Sequence, residues 1–497
     1  MKKLLILITS VGLFATSCRK IEVDGGTTTT TIPSQTAENT ILEGRIINNL
    51  TLKAAYTYKL RGLVYVTNGA ILTIEPGTKI VGENGRNGAL IITRGAKIIA
   101  DGTADKPIVF TSEAATPQRG DWAGLVVLGQ APNNSSFNGV DGIGEIEGGI
   151  NNSDGLGLYG LGASSSNLAD NSGILRYVRI EYAGYAFLPD KEINGLTFGG
   201  VGNQTIVDYV QVSYANDDSF EWFGGSVNCK HLISFRTLDD DFDTDNGFSG
   251  KVQFGISLRD SSIADISKSE AFESDNDANG SDRTTFMVSI PVSANNPVAI
   301  LPTKTNAVFS NMTLVGPKET ANSKGNSLFL GGAQIRRNSE QSIMNSIFLG
   351  WNGGSVNGLL IDASKGTPTD KNLDPAGGLN FRNNIIAGVT TNAVSYAASA
   401  TAPTGATKAT ITDWVNTTAY GNVLLANNTD AGITAPFNYS APDFNPSSAT
   451  AAAATGANFS SAKLKTSTTG KPDFTVVSYK GACAVGDTWW KTWTSFK

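Results

Sequence analysis

Between residues 52 and 130 the apolar positions come in short runs cut by Gly and Pro, as in GLVYVTNGAILTIEPGTKIVG, GALIITRGAKIIADGTADKPIVFTS and GDWAGLVVLG. Helical periodicity is absent. Strands of four to six residues separated by turn residues are predicted, and that density fits either a large sandwich or a parallel β-helix. Repetition separates the two. YVRIEYAG at 177–184 recurs as YVQVSYAN at 209–216, while NMTLVG (311–316), NSIFLG (345–350) and NNIIAG (383–388) reuse one strand with insertions between the copies. A sandwich has no reason to reuse its strands, whereas a solenoid stacks them, so the pattern predicts an all-β parallel β-helix. Alternation puts Val178, Ile180 and Tyr182 inward and Arg179 and Glu181 toward water. The Asn heading each later repeat reads as a turn residue in preference to an amide ladder.

Residues 217–245, DDSFEWFGGSVNCKHLISFRTLDDDFDTD, hold one acidic phrase twice: Asp217, Asp218, Phe220, Glu221, and 22 residues later Asp239, Asp240, Phe242, Asp243. A looser third copy, Glu270, Phe272, Glu273, follows after a spacing of 30. If one coil takes the intervening residues, equivalent positions stack at about 4.8 Å and the carboxylates form a column. Such a column repels itself unless a cation sits in it. Carboxylate oxygens without His or Cys nearby point to Ca²⁺. The candidate ligands are Asp217, Asp218, Glu221, Asp239, Asp240, Asp241, Asp243, Asp245, Glu273, Asp275 and Asp277. The competing reading is that Asp simply suits the corners of coils.

The composition agrees with a folded, turn-rich protein: 497 residues, 40% hydrophobic, 16% charged, 55 Gly. A formal net charge of −6 argues against nucleic acid as a partner. The start, MKKLLILITSVGLFATSC, has two lysines, an apolar run from Leu4 to Ala15 and small residues before Cys18. It reads as a cleaved export signal over residues 1–17, with Cys18 placed for lipidation and for anchoring the protein to a membrane by its lipid. Ala15 stands where the strict lipoprotein pattern has Leu. Residues 18–42 then read as a flexible tether, 43–390 as the β-helix, and 391–497 as terminal coils and a cap. Trp489, Trp490, Trp493 and Phe496 would cover the last open edge. Insertions at 130–172, 274–304 and 316–326 would build a binding face. Cys229 and Cys483 are expected as unpaired thiols.

The phrases LTIEPGTKI, GALIITRGAKIIADGT, PIVFTS, GDWAGLVVLG, ILRYVRIEYAG and AFESDND, over roughly residues 45–390 with the WTSF ending, resemble a family of right-handed parallel β-helix lipoproteins and secreted proteins of Bacteroidota. The resemblance implies a pectate-lyase-like fold with loop insertions and an outer-membrane or cell-surface home. It implies little about chemistry, because one scaffold serves enzymes and binders alike. Uronic-acid lyases of this shape use Ca²⁺ with an Arg or Lys base, and Arg236, Lys251, Arg259 and Arg283 lie near the acidic phrases. Inverting hydrolases use neighbouring Asp pairs, which Asp217/Asp218 over Asp239/Asp240 resemble, but this chain lacks their GHG turn and RIK-like run. The single histidine, His231, sits in an apolar strand, which disfavours a nucleophilic triad or a zinc site. Trp222 is either a sugar platform or a core partner of Phe220. The favoured expectation is a Ca²⁺-braced surface module that binds polysaccharide or a surface protein. The alternative is a Ca²⁺-dependent lyase or glycoside hydrolase acting on acidic glycans.

Overall fold

The computed structural model describes residues 36–497 apart from 37, 84, 86, 163–164, 189–190, 282–303, 321 and 466–471, and in it the sequence repeats stack as coils. Every strand of the main sheet pairs in parallel with its counterpart one coil on. The result is a parallel β-helix with three walls. The first wall begins at Leu50–Leu52 and Ile71–Ile74, and the second at the first half of Thr57–Val66 and Lys79–Gly82. Long strands then serve both: the leading halves of Gly173–Glu181, Ile206–Ser213, Cys229–Phe235, Lys251–Leu258 and Val308–Val315 lie in the first wall, their trailing halves in the second. The third wall stacks Ala89–Ile92, Gly124–Leu128, Leu196–Gly199, Phe220–Phe223, Phe242–Asp245, Phe272–Ser274, Gln334–Ile335, Leu359–Asp362 and Val394–Ala397.

The register is the one the repeats imply. Phe220 faces Phe242 and Phe242 faces Phe272, so the spacings of 22 and 30 residues both close one coil. Val178 faces Val210, and Thr313, Ile347 and Ile385 follow one another. Val178, Ile180, Phe220, Trp222, Phe242 and Phe272 point inward and are fully buried, and stacking like on like lets their rings pack face to face. Tyr182 departs from the alternation. With φ of 62° it turns out of the strand and stacks on Tyr214 outside the core, 5.0 Å between centroids.

One residue per coil makes the bend from first wall to second, and it does so in the left-handed region: Tyr177, Tyr209, His231, Phe254, Asn311, Asn345 and Asn383 all have φ between 50° and 66°. That conformation is unfavourable for residues other than Gly, least so for Asn. The aromatic members gain from stacking, with Tyr209 4.5 Å from Tyr177 and 4.2 Å from His231. The Asn members form no amide ladder; the Asn311 and Asn345 amides reach the carbonyls of Tyr479 and Asn458. His231 is the packed strand residue expected, its Nδ1 2.7 Å from Asp208 Oδ1.

One expectation for the C-terminal part is corrected. Coil strands do continue past residue 390, to Val423–Leu425, in the part expected to hold the terminal coils. The tryptophans do not lie over the last coil: Trp490 and Trp493, with Phe444 and Cys483, cover the outward side of the second wall, against Ile233, Phe235, Ile256, Leu258 and Ile347. What closes the end of the interior is a helix, Lys408–Val415, whose Ile411 and Val415 join the main core beside Val394 and Phe381. Eight residues are too few to show an amphipathic period clearly, so the sequence pattern gives no sign of it. Thr407 caps the helix, its hydroxyl accepting from Thr410 N. Thr407→Ala should therefore lower stability by about 1 kcal/mol, read as a shift in the denaturant midpoint. Cys229 and Cys483 are free and buried, as expected.

The outward side of the third wall is covered early and acidic later. Tyr65, Ile91 and Val126 project from it and pack under Ile146, Ile150 and Tyr159 of the 130–172 insertion and under Ile193. Further along the same face the outward positions become Glu221, Asp243 and Glu273, register partners of one another.

Candidate metal centre

Asp217 and Asp218 lie in the turn that enters the strand Phe220–Phe223, and Asp239 and Asp240 occupy the same turn one coil on. The turns are locked together by the carboxylates themselves. Asp218 accepts a hydrogen bond from Asp240 N at 2.7 Å, and Asp240 accepts one from Glu270 N at 2.5 Å. Asn194, in the preceding coil, donates to Glu221 and accepts from Asp218 N at 3.1 Å.

This stacking gathers three groups of carboxylates whose ligand oxygens lie within 4.8 Å of one another: Asp217, Asp218 and Asp239; Asp218, Glu221 and Asp243; Asp239, Asp240 and Glu270. Two charges 4.8 Å apart repel by about 3.5 kcal/mol at an effective dielectric constant of 20. A few such pairs equal the whole net stability of a typical domain, so the groups must hold protons or a cation. Burial, with neighbouring charge second, pushes Asp217, Asp218, Glu221, Asp240, Asp243 and Glu270 well above the usual carboxylate range. Asp239 is pushed up to about 6, by burial first and Asp265 next among the raising causes. Three oxygens of residues in these groups, Asp239 Oδ1, Asp243 Oδ1 and Glu270 Oε2, are buried without a hydrogen-bond partner. Glu270 is only 2% exposed, and an unsatisfied carboxylate oxygen in that setting is costly. An all-oxygen, all-anionic donor set with no His or Cys suits Ca²⁺ or another hard cation.

The remaining sequence candidates stand elsewhere. Asp241 turns into the interior, where Ser234 Oγ and Ser257 Oγ donate to it at 2.5 Å and Arg259 lies 3.3 Å away; both charged side chains are fully buried. The residue belongs to the turn and not to a strand, so alternation cannot assign its side. Glu273 and Asp275 are taken by Arg336, and Asp275 also by Arg337 at 2.7 Å. Asp245 accepts from Asn246 N, and Asp277 shapes its own turn by accepting from Asn279 N. Among the ligand-binding candidates, Trp222 is corrected from sugar platform to core residue: it is fully buried and stacks on Phe198, Phe220 and Phe248. Arg259 is likewise an interior partner and reaches no surface. Arg236 pairs with Asp260 and lies over Tyr439, and Lys251 pairs with Asp473 at 2.8 Å. Arg283 falls outside the described residues.

Sequence reasoning missed Asn194, Arg336, Arg337, Glu147 and Glu192. The last two raise Asp217 by their charge, and Glu147 also raises Glu221. Glu147 belongs to the 130–172 insertion, and the tendency of insertions to gather on one face was the signal that could have found it.

Known proteins bear on the fold. No curated protein sequence matches the chain. The crystal structure of the Dettilon tailspike protein is similar at 9% identity and a TM-score of 0.25, covering 70% of this chain and 62% of that one. The chain thus spans less than two thirds of that protein, and a likeness so weak transfers neither fold nor function. The family described as pectate-lyase like beta helix domain matches residues 44–432, most of the chain. With three parallel walls, coil-by-coil register and that match in agreement, the chain belongs to the pectate-lyase-like β-helix domain family.

Proposed function

We propose that the protein is a lipid-anchored surface module whose β-helix, braced by Ca²⁺ along the third wall, holds an acidic polysaccharide or a surface partner without turning it over. One observation carries the choice of binding over catalysis. The basic side chains singled out near the acidic wall already have anionic partners: Arg336 and Arg337 with Glu273 and Asp275, Arg259 with Asp241, Lys251 with Asp473, Arg236 with Asp260; Lys268, two residues before Glu270, is instead exposed to solvent. A lyase needs an Arg or Lys free to take a proton beside an open cation. Here Asp218, Glu221, Asp240 and Glu270 are at most 7% exposed, which suits bracing and not substrate access.

The address follows from residues outside the described part. The 1–17 segment and Cys18 have the form of a lipoprotein signal, and the resemblance to Bacteroidota surface proteins supports an outer-membrane or cell-surface location. Mass spectrometry of the mature N-terminal peptide should find acyl chains on Cys18. The glycan preference is supported by the family to which the β-helix belongs. Incubation with a panel of polyuronates, with and without Ca²⁺, should give Ca²⁺-dependent retention and no ultraviolet absorbance from unsaturated products. Growth of that absorbance would replace the binding role with a lyase.

A further inference from the structure

We propose that the acidic wall holds a bridged row of three Ca²⁺ ions, joined through Asp218 and Asp239. This rests on the calcium reading above and goes beyond it in number, order and termination.

The three carboxylate groups are not separate. Asp218 belongs to the first and second, and Asp239 to the first and third. Each can bridge two ions with its two oxygens. An oxygen separation of up to 4.8 Å is twice a Ca–O distance of about 2.4 Å, so one ion fits within each group. One ion in the first group alone would leave Glu221 facing Asp243, and would leave Glu270 Oε2 buried without a partner. Seven carboxylates make up the three groups, and three ions bring six positive charges, close to neutrality. Smaller numbers leave buried carboxylates that must hold protons in place of ions.

The ends of the row are built into the fold. Upstream, the register partner of Glu221 is the neutral Thr197, and Asn194 closes Glu221 with an amide. Downstream, the next carboxylates in the stack, Glu273 and Asp275, meet the guanidinium groups of Arg336 and Arg337. Fixed cations therefore replace bound ones where the row stops. Glu270 Oε2 is the independent sign of a ligand, because a carboxylate oxygen that is buried and unpaired is costly until a proton or a cation meets it.

Native mass spectrometry of the full chain, stripped with chelator and then reloaded with Ca²⁺ alone, tests the row. Wild type should hold three ions. Asp243→Asn should hold two, since it touches only one group. Asp239→Asn should hold one, since it removes the bridge and both ions that it serves. A wild-type count of one or two, or equal losses in the two variants, overturns the row while leaving calcium binding in place. A wild-type count of zero removes the calcium reading itself. The wild-type count decides even if a variant fails to fold.

Discussion

Arg259→Met should destabilise the protein by about 3–5 kcal/mol, measured as a fall in thermal and denaturant midpoints, although the substitution fills much the same space. Arg259 and Asp241 form an ion pair with no exposed side-chain surface inside the β-helix. The guanidinium also donates to the carbonyl of Asp239 and, at 3.1 Å, to that of Leu238, and it lies 5.1 Å over the Phe329 ring. Removing it leaves a buried carboxylate held only by two serine hydroxyls, and the Asp239 carbonyl without its donor, while the Leu238 carbonyl keeps only the Ser269 hydroxyl. The double variant Asp241→Asn/Arg259→Met should recover part of the loss, because the stranded charge goes with its partner. The single change should also weaken Ca²⁺ binding. Arg259 pins the backbone of the turn from which Asp239 and Asp240 project, so ion affinity and core stability are set by one side chain. An unchanged melting temperature would sink the claim that this pair is structural.

Chelator-stripped protein should melt at a lower temperature at pH 8 than at pH 5, and added Ca²⁺ should remove the difference. The carboxylates of the acidic wall have pKa values raised by folding, so the folded state binds more protons than the unfolded chain. Their contribution is fully present below the ordinary carboxylate range, near about 4, and is lost as pH rises through the folded values. The folded value is about 6 for Asp239, with Asp218, Glu221, Asp240 and Glu270 also raised, by burial first. Ca²⁺ replaces the protons and reverses the slope. At a thousand times its dissociation constant, one ion adds about 4 kcal/mol. Differential scanning fluorimetry at both pH values, with chelator and with Ca²⁺, checks this directly. A melting temperature indifferent to Ca²⁺ at pH 8 would mean that the carboxylates are neutralised by protons alone.

The coils are legible in the sequence because stacking forces like residues into register. The Phe220, Phe242 and Phe272 ladder and the Glu221, Asp243 and Glu273 column appear along the chain as fixed offsets. Side-chain direction is legible only inside strands. Asp241 sits in a turn, where alternation has no phase, and so its composition groups it with the ligands although it points into the core. Trp222 is ambiguous for a different reason: an aromatic in a strand serves core and sugar equally well, and only its burial among Phe198, Phe220 and Phe248 decides. Partners from other parts of the chain leave no local signal. Arg336 is 63 residues from Glu273, and insertion lengths leave the offset arbitrary. The tryptophan cluster suggests an end cap because an open edge needs cover, but the outward apolar face of the second wall needs cover as well.

That cover runs along the coils and against their order. Residues 458 and 479–481 meet Asn345 and Asn311, Thr475 meets Gln253 and Lys230, Trp489 meets His231, and Ser495 meets Gln211. Stacked repeats on their own touch only nearest neighbours and can fray one at a time. A single ribbon stitched to five successive turns removes that freedom, since no inner turn can open without unpicking it. The middle of the rod should therefore melt as one cooperative block, with amide exchange equally slow from residue 211 to residue 345.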